Sequence, residues 1–171
     1  MRKVLNIKFF NRPTEKVAKD LLGKFLVRNI GRREIVLMIT EVEVYDGFGD
    51  KASHASRGKT ARNSIMFGPA GYWYVYFTYG MHWMLNIVTR ESGYPAAVLI
   101  RGVDGFGGPA KLTKFLKVDS RFNGLSANKR SGLWLEDRGV RLRDSKVKKG
   151  PRVGVSYAGP YWAKRKWRFW I

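Results

Sequence analysis

The sequence predicts an α+β domain built around an antiparallel sheet. Two pairs of segments rich in β-branched and aromatic residues are each joined by a turn that contains glycine, as in β-hairpins. Between and after these pairs lie only a few short stretches with helical periodicity and helix-ending signals. A length of 171 residues is typical of one domain with its own core, so we expect a single domain over residues 1–171.

The first elements are a helix and a pair of strands. We expect a helix from about Pro13 to Leu22, because proline suits the first helical turn and Gly23 can end the helix in a left-handed cap. Phe25–Val27 and the β-branched run Ile35–Tyr45 have the composition of strands, and the turn at Gly31 allows them to pair in antiparallel fashion.

The longer strand of this pair ends in polar side chains. Side chains alternate with a period of two, so one predicted face carries Ile35, Leu37, Ile39, Glu41, Glu43 and Tyr45. A glutamate here suits a general base acting on water, and an ion pair with one of the many arginines explains the same spacing equally well. Two carboxylates on one face do not by themselves flank a bond, so a sugar hydrolase built on this pair has little support.

A long polar segment leads to the second hairpin. Residues Asp46–Pro69 are rich in Gly, Ser, Lys and Arg and lack apolar periodicity, which indicates a surface loop of a kind that often carries function. Tyr72–Thr78 and Trp83–Thr89 are the predicted strands, and Tyr79–His82 is the tip between them. Tyr79 is either an ordinary turn aromatic or a wedge presented to a partner, and exposure at a tip favours the wedge.

The rest of the chain predicts shorter elements. Ala97–Arg101 has the composition of a buried strand, and Gly108-Pro109 begins a helix that places Leu112, Phe115 and Leu116 on one side. Short closing strands are expected at Leu133–Leu135, Arg152–Val155 and Trp167–Trp170. The chain shows no internal repeat and no low-complexity segment that would suggest another architecture.

The charge balance indicates a polyanionic partner. Lys and Arg number 33 against 13 Asp and Glu, a formal net charge of +20, which exceeds what solubility needs. Because 44% of the residues are hydrophobic and 14% aromatic, the charge belongs to a folded domain and not to a disordered tail. Basic residues interleaved with aromatics are typical of proteins that bind phosphates and stack on bases. The other interpretation is an aromatic core under a solvated basic surface.

Cysteine is absent, and His54 and His82 are the two histidines. This composition excludes disulfides, thiolate metal sites, cysteine nucleophiles and the zinc deaminase signature, so we expect no metal site. The amino-terminal residues lack the apolar core of a signal peptide, and no apolar run reaches membrane-spanning length. We therefore expect a cytoplasmic protein. Taken alone, His54 is more often a loop hydrogen-bonding residue than a catalyst.

Motifs spread along the chain, in consistent order and spacing, resemble those of a known family. They are Ile39–Tyr45, Gly47, Asp50, Ala52–Ala55, Arg57–Thr60, Arg62–Asn63, Met66–Gly68, Tyr74–Tyr76, Tyr79–His82, Asn86, Ala97–Arg101, Gly108–Leu112, Pro151–Gly154 and Trp167–Phe169. Through these residues the sequence is similar, over nearly its whole length, to the alkyladenine (3-methyladenine) DNA glycosylase family. The resemblance implies a curved antiparallel sheet with a protruding β-hairpin, surrounded by helices and loops.

The resemblance also implies an enzyme that flips a damaged purine out of the duplex and hydrolyses its N-glycosidic bond. Glu43 matches the general base that deprotonates the attacking water, and Arg101 matches the residue that helps to hold water and carboxylate. Tyr45 and Tyr76 match aromatics that stack on the flipped base, and His54 completes the pocket. Such stacking favours alkylated purines, which are electron-poor and often cationic.

Two further matches concern selectivity and the DNA itself. Tyr79 matches the residue that intercalates into the gap left by the flipped nucleotide, and Asn86 matches the residue that crowds the 2-amino group of guanine. A strand amide that satisfies neighbouring backbone is the alternative for Asn86. No lysine occupies a family nucleophile position, so lyase chemistry through Lys51 or Lys59 is not expected.

We accordingly expect a monofunctional base-excision-repair glycosylase for 3-methyladenine, hypoxanthine and ethenoadenine type lesions. It would act on double-stranded DNA as a monomer, without cofactor or membrane, in the cytoplasm, associated with the nucleoid in a prokaryote. The segment Arg101–Gly108 is shorter than the family pattern, which puts DNA contacts from that stretch in doubt. A non-catalytic nucleic-acid-binding module and an RNA-processing or formyltransferase-associated domain remain the alternatives.

Overall fold

The computed structural model describes residues 2–171, in ten strands and four α-helices. The strands are β1 Lys3–Val4, β2 Phe25–Ile30, β3 Arg33–Asp46, β4 Trp73–Thr78, β5 His82–Val88, β6 Ala96–Val103, β7 Phe106–Gly107, β8 Leu133–Asp137, β9 Lys148–Gly150 and β10 Arg168–Trp170. The helices are α1 Ile7–Phe10, α2 Thr14–Leu21, α3 Pro109–Phe115 and α4 Pro160–Lys164. None of these helices is long and apolar enough to cross a membrane.

All strand pairings are antiparallel, which confirms the predicted α+β class. The main path of the sheet runs β1-β8-β2-β3-β6-β5-β4, and β10 and β9 extend it beside β3. Strand β3 is 14 residues long and changes neighbours along its length. Its first half pairs with β2, and its second half pairs with β6 and β10. The end of β3 that carries the predicted glutamates is therefore enclosed by strands on both edges.

The pairing of β3 with β6 is irregular where the glutamates begin. Ile39 pairs with Val103 and Val42 pairs with Ile100, but between them the register shifts twice. On both strands the residues that join the main core change from odd to even numbers across this bulge. The prediction that Ile39 shares a face with Glu43 is therefore wrong, because the bulge reverses the alternation between them.

The main core lies between the sheet and helices α2 and α3. The predicted apolar face of α2 is confirmed by Val17 and Leu21, both 0% exposed, and that of α3 by Leu112 and Leu116. Phe115 departs from the prediction, because it is 42% exposed and stacks on Phe106 with ring centroids 4.3 Å apart. Both helices pack on the core side of the sheet. The side chains on the other side of β3 and β6 are therefore free to make other contacts.

Most of the predicted strands are confirmed, and one is wrong. Residues 151–155 form no strand, and Lys148–Gly150 pairs with β10 in their place. The reason is that Arg152 buries its side chain and the Val153 amide bonds a carboxylate, which leaves no regular backbone ladder. The sequence did not reveal β1, α1 and α4, because two to five residues are too few to show a period.

Candidate active site

The carboxylate of Glu43 is completely buried at the centre of the irregular strand pair. It is 0% exposed, and its two oxygens have separate donors. The Val153 amide donates to Oε1 at 2.8 Å, and the Tyr45 hydroxyl donates to Oε2 at 2.9 Å. Burial raises the pKa of Glu43, and Arg101, whose Nε lies 3.6 Å from Oε1, acts in the opposite direction. The Glu43 carboxylate is thus desolvated, but its charged form still accepts hydrogen bonds from the Val153 amide and the Tyr45 hydroxyl.

A second carboxylate holds Arg101 beside Glu43. The Arg101 Nε donates to Glu41 Oε1 at 3.0 Å, and Arg168 Nη1 donates to the same oxygen at 3.4 Å. A Cβ added to Gly102 would lie 3.1 Å from the Cβ of Glu41, so glycine permits this close approach of the strands. Glu41 therefore makes the ion pair that the sequence left as an alternative. We call Glu41, Glu43 and Arg101 the carboxylate cluster.

A narrow slot walled by aromatic rings adjoins Tyr45, in front of the carboxylate cluster. We call it the aromatic slot; it encloses about 50 Å³ and is lined by Tyr45, Ala52, Ser53, His54, Met66, Tyr74, Tyr76, Asn86, Ala97 and Tyr157. The His54 and Tyr76 ring centroids lie 4.6 Å apart, and those of Tyr74 and Tyr76 lie 5.1 Å apart. The structure thus brings all four predicted pocket residues, Tyr45, His54, Tyr76 and Asn86, to one place.

His54 lies at the exposed mouth of the slot. Its Nδ1 is 3.0 Å from the hydroxyl of Tyr74, and the Asn63 amide fixes its backbone by donating to the His54 carbonyl at 2.9 Å. Desolvation and the nearby Arg62 lower the pKa of His54, so the ring is neutral at physiological pH. Desolvation raises the pKa of Tyr74 to about 12, which keeps its hydroxyl protonated. The mouth of the slot therefore carries neutral hydrogen-bonding groups.

Asn86 lies deeper in the slot and is 3% exposed. Its Nδ2 donates to the Tyr74 carbonyl at 3.0 Å, across the β4–β5 ladder. The amide therefore satisfies neighbouring backbone, as the structural alternative proposed, and also lines the slot. The structural alternative is thus confirmed for Nδ2, and the role of Asn86 in crowding the guanine 2-amino group stays a prediction.

The β4–β5 hairpin ends in a tight turn, Tyr79–Met81, which we call the hairpin tip. The Met81 amide donates to the Thr78 carbonyl at 3.1 Å, and the central residues Tyr79 and Gly80 have φ values of +52° and +64°. Positive φ at both central positions is the signature of a type I′ turn, which is strained for any residue other than glycine, asparagine or aspartate. The strained Tyr79 is 77% exposed, so the fold displays this ring and does not bury it.

Exposed cations lie on the loop beside the slot. Lys51, Arg57, Lys59 and Arg62 are all exposed. The Arg62 guanidinium lies 5.3 Å from the centre of the Tyr76 ring, and its Nη2 donates to the Phe77 carbonyl at 2.9 Å. This loop therefore places positive charge next to the aromatic slot and next to the strand that leads to the hairpin tip.

Two parts of the site were not assigned roles from sequence. The Tyr157 hydroxyl donates to the Ala52 carbonyl at 2.9 Å and joins two loops at the mouth of the slot. Arg152 forms a buried ion pair with Asp50, and the next residue, Val153, bonds Glu43. These partners lie more than 100 positions apart, so no local pattern could have joined them. The available signal was the presence of Asp50 and Pro151–Gly154 among the family motifs.

The slot is not the largest cavity of the protein. A groove of about 490 Å³ lies beside α2 and residues 140–149, but it contains neither the carboxylate cluster nor the aromatic rings of the slot. Within residues 2–171, no three His, Asp or Glu side chains come together as a metal ion would require.

Comparison with known proteins identifies the family. Residues 8–106 and 104–171 match the model of the methylpurine-DNA glycosylase family. The chain belongs to this family. The resemblance inferred from the motifs is therefore confirmed, and the protein is a DNA glycosylase, a hydrolase of DNA repair whose substrate is DNA. The two matched ranges overlap at residues 104–106, in the turn between β6 and β7.

Relatives of this glycosylase come from archaea and bacteria. A protein of Methanocella arvoryzae is 43% identical over 98% of this chain and 92% of its own length. Proteins of Legionella pneumophila strain Paris and Borreliella burgdorferi strain ZS7 are 42% and 41% identical, over 100% and 95% of this chain and 95% and 93% of their own lengths. All three carry 3-methyladenine DNA glycosylase as a provisional name.

Proposed function

We propose that this glycosylase removes alkylated and deaminated purines from double-stranded DNA by hydrolysis, with Glu43 as the general base. The observation that carries the proposal is the buried Glu43 carboxylate, held by Arg101 and the Val153 amide and joined by a hydrogen bond to Tyr45, which lines the aromatic slot. The expected substrates are lesions of the 3-methyladenine, hypoxanthine and ethenoadenine type.

In the proposed reaction, water supplies the atom that replaces the base. Glu43 removes a proton from a water molecule, whose oxygen bonds to C1′ of the flipped nucleotide. The bond from C1′ to the purine nitrogen breaks at the same time, and its electron pair leaves with the purine. In the free protein the Tyr45 hydroxyl donates a hydrogen bond to Glu43 Oε2. We infer that the attacking water takes the place of this hydroxyl.

The raised pKa of Glu43 suits this role. Desolvation makes the carboxylate a stronger base, because the charged form loses its hydration. Arg101 acts against this rise, because its positive charge favours the ionised carboxylate. Glu41 holds Arg101 from the other side, which makes Glu41 a positioning residue in the proposed mechanism.

The aromatic slot explains selection for damaged purines. Tyr45 and Tyr76 would stack on the base, and stacking is strongest for electron-poor or cationic alkylpurines. The slot encloses about 50 Å³ at rest, so a purine must part its walls. We infer that Tyr157, 69% exposed and fixed by one hydrogen bond, is the wall that moves. Asn86 would then exclude the 2-amino group of guanine from the inner end.

The hairpin tip would fill the gap in the duplex. Intercalating side chains must protrude, and Tyr79 is 77% exposed on a turn whose strain needs a functional reason. Lys51, Arg57, Lys59 and Arg62 would bind phosphates on either side of the flipped nucleotide. The proposal thus assigns base recognition, chemistry and DNA contact to three adjacent parts of one surface.

The proposal is tested by base release under single-turnover conditions. Matched duplexes would carry 3-methyladenine, 7-methylguanine, hypoxanthine, ethenoadenine or no lesion. We expect free base from the damaged duplexes, little from the undamaged one, and no covalent enzyme–DNA adduct after borohydride treatment. Tight lesion binding without base release would indicate a non-catalytic binding module and would contradict the proposal. A borohydride-trapped adduct would indicate lyase chemistry through a lysine.

A further inference from the structure

Asp50 and Arg152 form a charge pair that lies entirely inside the protein. Both side chains are 0% exposed, and they make two hydrogen bonds, from Nη1 to Oδ2 at 2.6 Å and from Nη2 to Oδ1 at 2.8 Å. A buried charge pair generally adds no more stability than well-packed apolar residues of the same volume. The presence of this pair next to the carboxylate cluster therefore calls for an explanation other than stability.

Each partner is attached to a different part of the active site. The Asp50 carboxylate accepts hydrogen bonds from the amides of Asp46 at 3.2 Å and Ala52 at 3.1 Å, and so fixes the loop between β3 and the slot. Arg152 Nη1 also donates to the Val44 carbonyl at 2.8 Å, on the strand residue directly after Glu43. The pair thus ties the strand, the loop and the segment that contains Arg152 to one point.

That segment has little else to fix it. Residues 151–155 belong to no helix or strand, so no backbone ladder determines where the Val153 amide points. This amide nevertheless donates to Glu43 Oε1 at 2.8 Å. The guanidinium of Arg152 packs 4.8 Å from the centre of the Tyr45 ring, and the Tyr45 hydroxyl bonds the other oxygen of Glu43. Both donors to the Glu43 carboxylate therefore depend on where Arg152 lies.

We propose that Asp50 and Arg152 are positioning residues. They hold the Val153 amide against Glu43 and so keep the carboxylate of the proposed general base in its orientation. The proposal rests on the general-base role of Glu43 and adds the part of the chain that maintains it. The charged and titratable groups around Glu43 are Glu41, Tyr45, Tyr76, Arg101, Arg152 and Tyr157. The variant Asp50→Asn changes one partner of Arg152 and leaves these six groups in place, whereas the replacement variant Arg152→Lys changes one of the six and keeps its charge.

The test variant is Asp50→Asn, which keeps the shape of the side chain and removes its charge. Its matched control is Glu136→Gln on β8, since Glu136 is also a buried carboxylate, 2% exposed, paired with an arginine, Arg138, at 2.9 Å. Base release from a 3-methyladenine duplex is measured at saturating enzyme between pH 4 and pH 9. Active sites are counted by titration with a duplex carrying a stable abasic analogue, so that loss of folded protein does not lower the rate per site.

We expect Asp50→Asn to lower the rate per active site by about tenfold or more, while affinity for the abasic duplex stays within about threefold of wild type. The acid limb of the pH profile should move to higher pH, because the Val153 amide and Arg152 both lower the pKa of Glu43. Glu136→Gln should lose thermal stability and leave the rate per site and the acid limb unchanged. Where Asp50→Asn gives no active sites to count, Arg152→Lys replaces it, and we expect the same changes in the same direction.

Unchanged rate and acid limb in the Asp50 variant would overturn the proposal, and so would equal effects of Asp50→Asn and Glu136→Gln. Glu43→Gln is measured alongside to separate this proposal from the one on which it rests. If Glu43→Gln is inactive and Asp50→Asn behaves as wild type, only the positioning role fails. If Glu43→Gln retains wild-type activity, the general-base role fails and the positioning role fails with it.

Discussion

The carboxylate cluster and the hairpin tip differ in how their side chains are held. At the cluster, Glu43 is 0% exposed and each of its oxygens has a donor. At the tip, Tyr79 and Met81 are 77% and 68% exposed. The side chains of the cluster are held in place by internal contacts, whereas those of the tip are exposed and available for contact with a partner.

The two regions also store different kinds of unfavourable energy. At the cluster the cost is desolvation of a charged carboxylate, which raises the pKa of Glu43. At the tip the cost is a tyrosine with φ of +52°. Desolvation strengthens a base and therefore affects the rate of the chemical step, whereas an exposed ring on a strained turn affects the affinity for a partner. Substitutions in the two regions should therefore change different measured quantities.

The largest expected effect is that of Glu43→Gln on the chemical step. Glutamine keeps the shape of the side chain and can accept the Val153 hydrogen bond, but it cannot take a proton from water. We expect base release per active site to fall by roughly 10²- to 10⁴-fold, the usual contribution of a general base. Single-turnover rates at saturating enzyme measure this. Rates close to wild type would remove Glu43 from the mechanism.

Tyr79→Ala should have its effect on binding. Filling the gap in the base stack offsets unstacking that costs a few kcal/mol, so affinity for lesion DNA should fall by about 10- to 100-fold. Equilibrium binding to lesion and undamaged duplexes separates this effect from general affinity. Met81→Ala, at the same tip and 68% exposed, is the matched control and should change affinity less. Equal losses for the two variants would argue against a specific wedge.

Asn86→Ser should alter selectivity. If the amide blocks the space of the guanine 2-amino group, shortening the side chain relieves a mismatch of about 1–3 kcal/mol. The ratio of single-turnover rates for 7-methylguanine and hypoxanthine duplexes should then rise. The lost bond to the Tyr74 carbonyl would slow both substrates equally and leave the ratio constant. A constant ratio would make Asn86 a structural residue only.

The pH dependence of the reaction rate should follow the ionisation of Glu43. The base must be ionised, so activity should fall as the pH drops through a pKa above the usual 4.5 of glutamate. A 3-methyladenine duplex is the appropriate substrate, because its base is already cationic, needs no protonation to leave and lacks the 2-amino group of guanine. His54, whose pKa is lowered below 6.5, should add no loss of activity near neutral pH. An acid limb at or below pH 4.5 would contradict the raised pKa of Glu43.

The smallest expected effect is on stability. A pKa raised by folding stabilises the protein below the unfolded value and loses that contribution as the pH rises through the folded value. At neutral pH the wild type therefore holds a buried charge at a cost, and Glu43→Gln should unfold at an equal or higher temperature. The difference should vanish below about pH 4.5. A variant that is less stable at neutral pH would show that the Arg101 contact outweighs desolvation.

Much of this site could be predicted from the sequence, because its main elements are local. The run Ile35–Tyr45, the aromatic strand before Tyr79 and the glycine at position 80 each carry a pattern that physical rules recognise. The tip was predicted at Tyr79–His82, and the structure places it at Tyr79–Met81, with His82 as the first residue of β5. The grouping of Tyr45, His54, Tyr76 and Asn86 depended on the family resemblance, since no spacing rule joins a loop to three strands.

The remaining features arise from contacts between distant segments. The bulge opposite Gly102 reverses which side chains of β3 face the core. The alternation of residues within one strand gives no information about its register with the partner strand. Arg152–Val155 has strand-like composition, but the Glu43 carboxylate takes the Val153 amide that a ladder would use, and the Arg152 side chain turns inward to Asp50. Tertiary contacts override local propensity most strongly at the site itself, where buried charges must be satisfied.

The most direct test of the account measures Glu43→Gln and Tyr79→Ala side by side on one lesion duplex. Two quantities are determined for each: the single-turnover rate at saturating enzyme and the affinity for the lesion duplex. We predict that Glu43→Gln loses the rate and keeps the affinity, while Tyr79→Ala loses the affinity and keeps most of the saturated rate. Both variants losing both quantities in the same proportion would contradict the division between a prearranged cluster and a displayed tip.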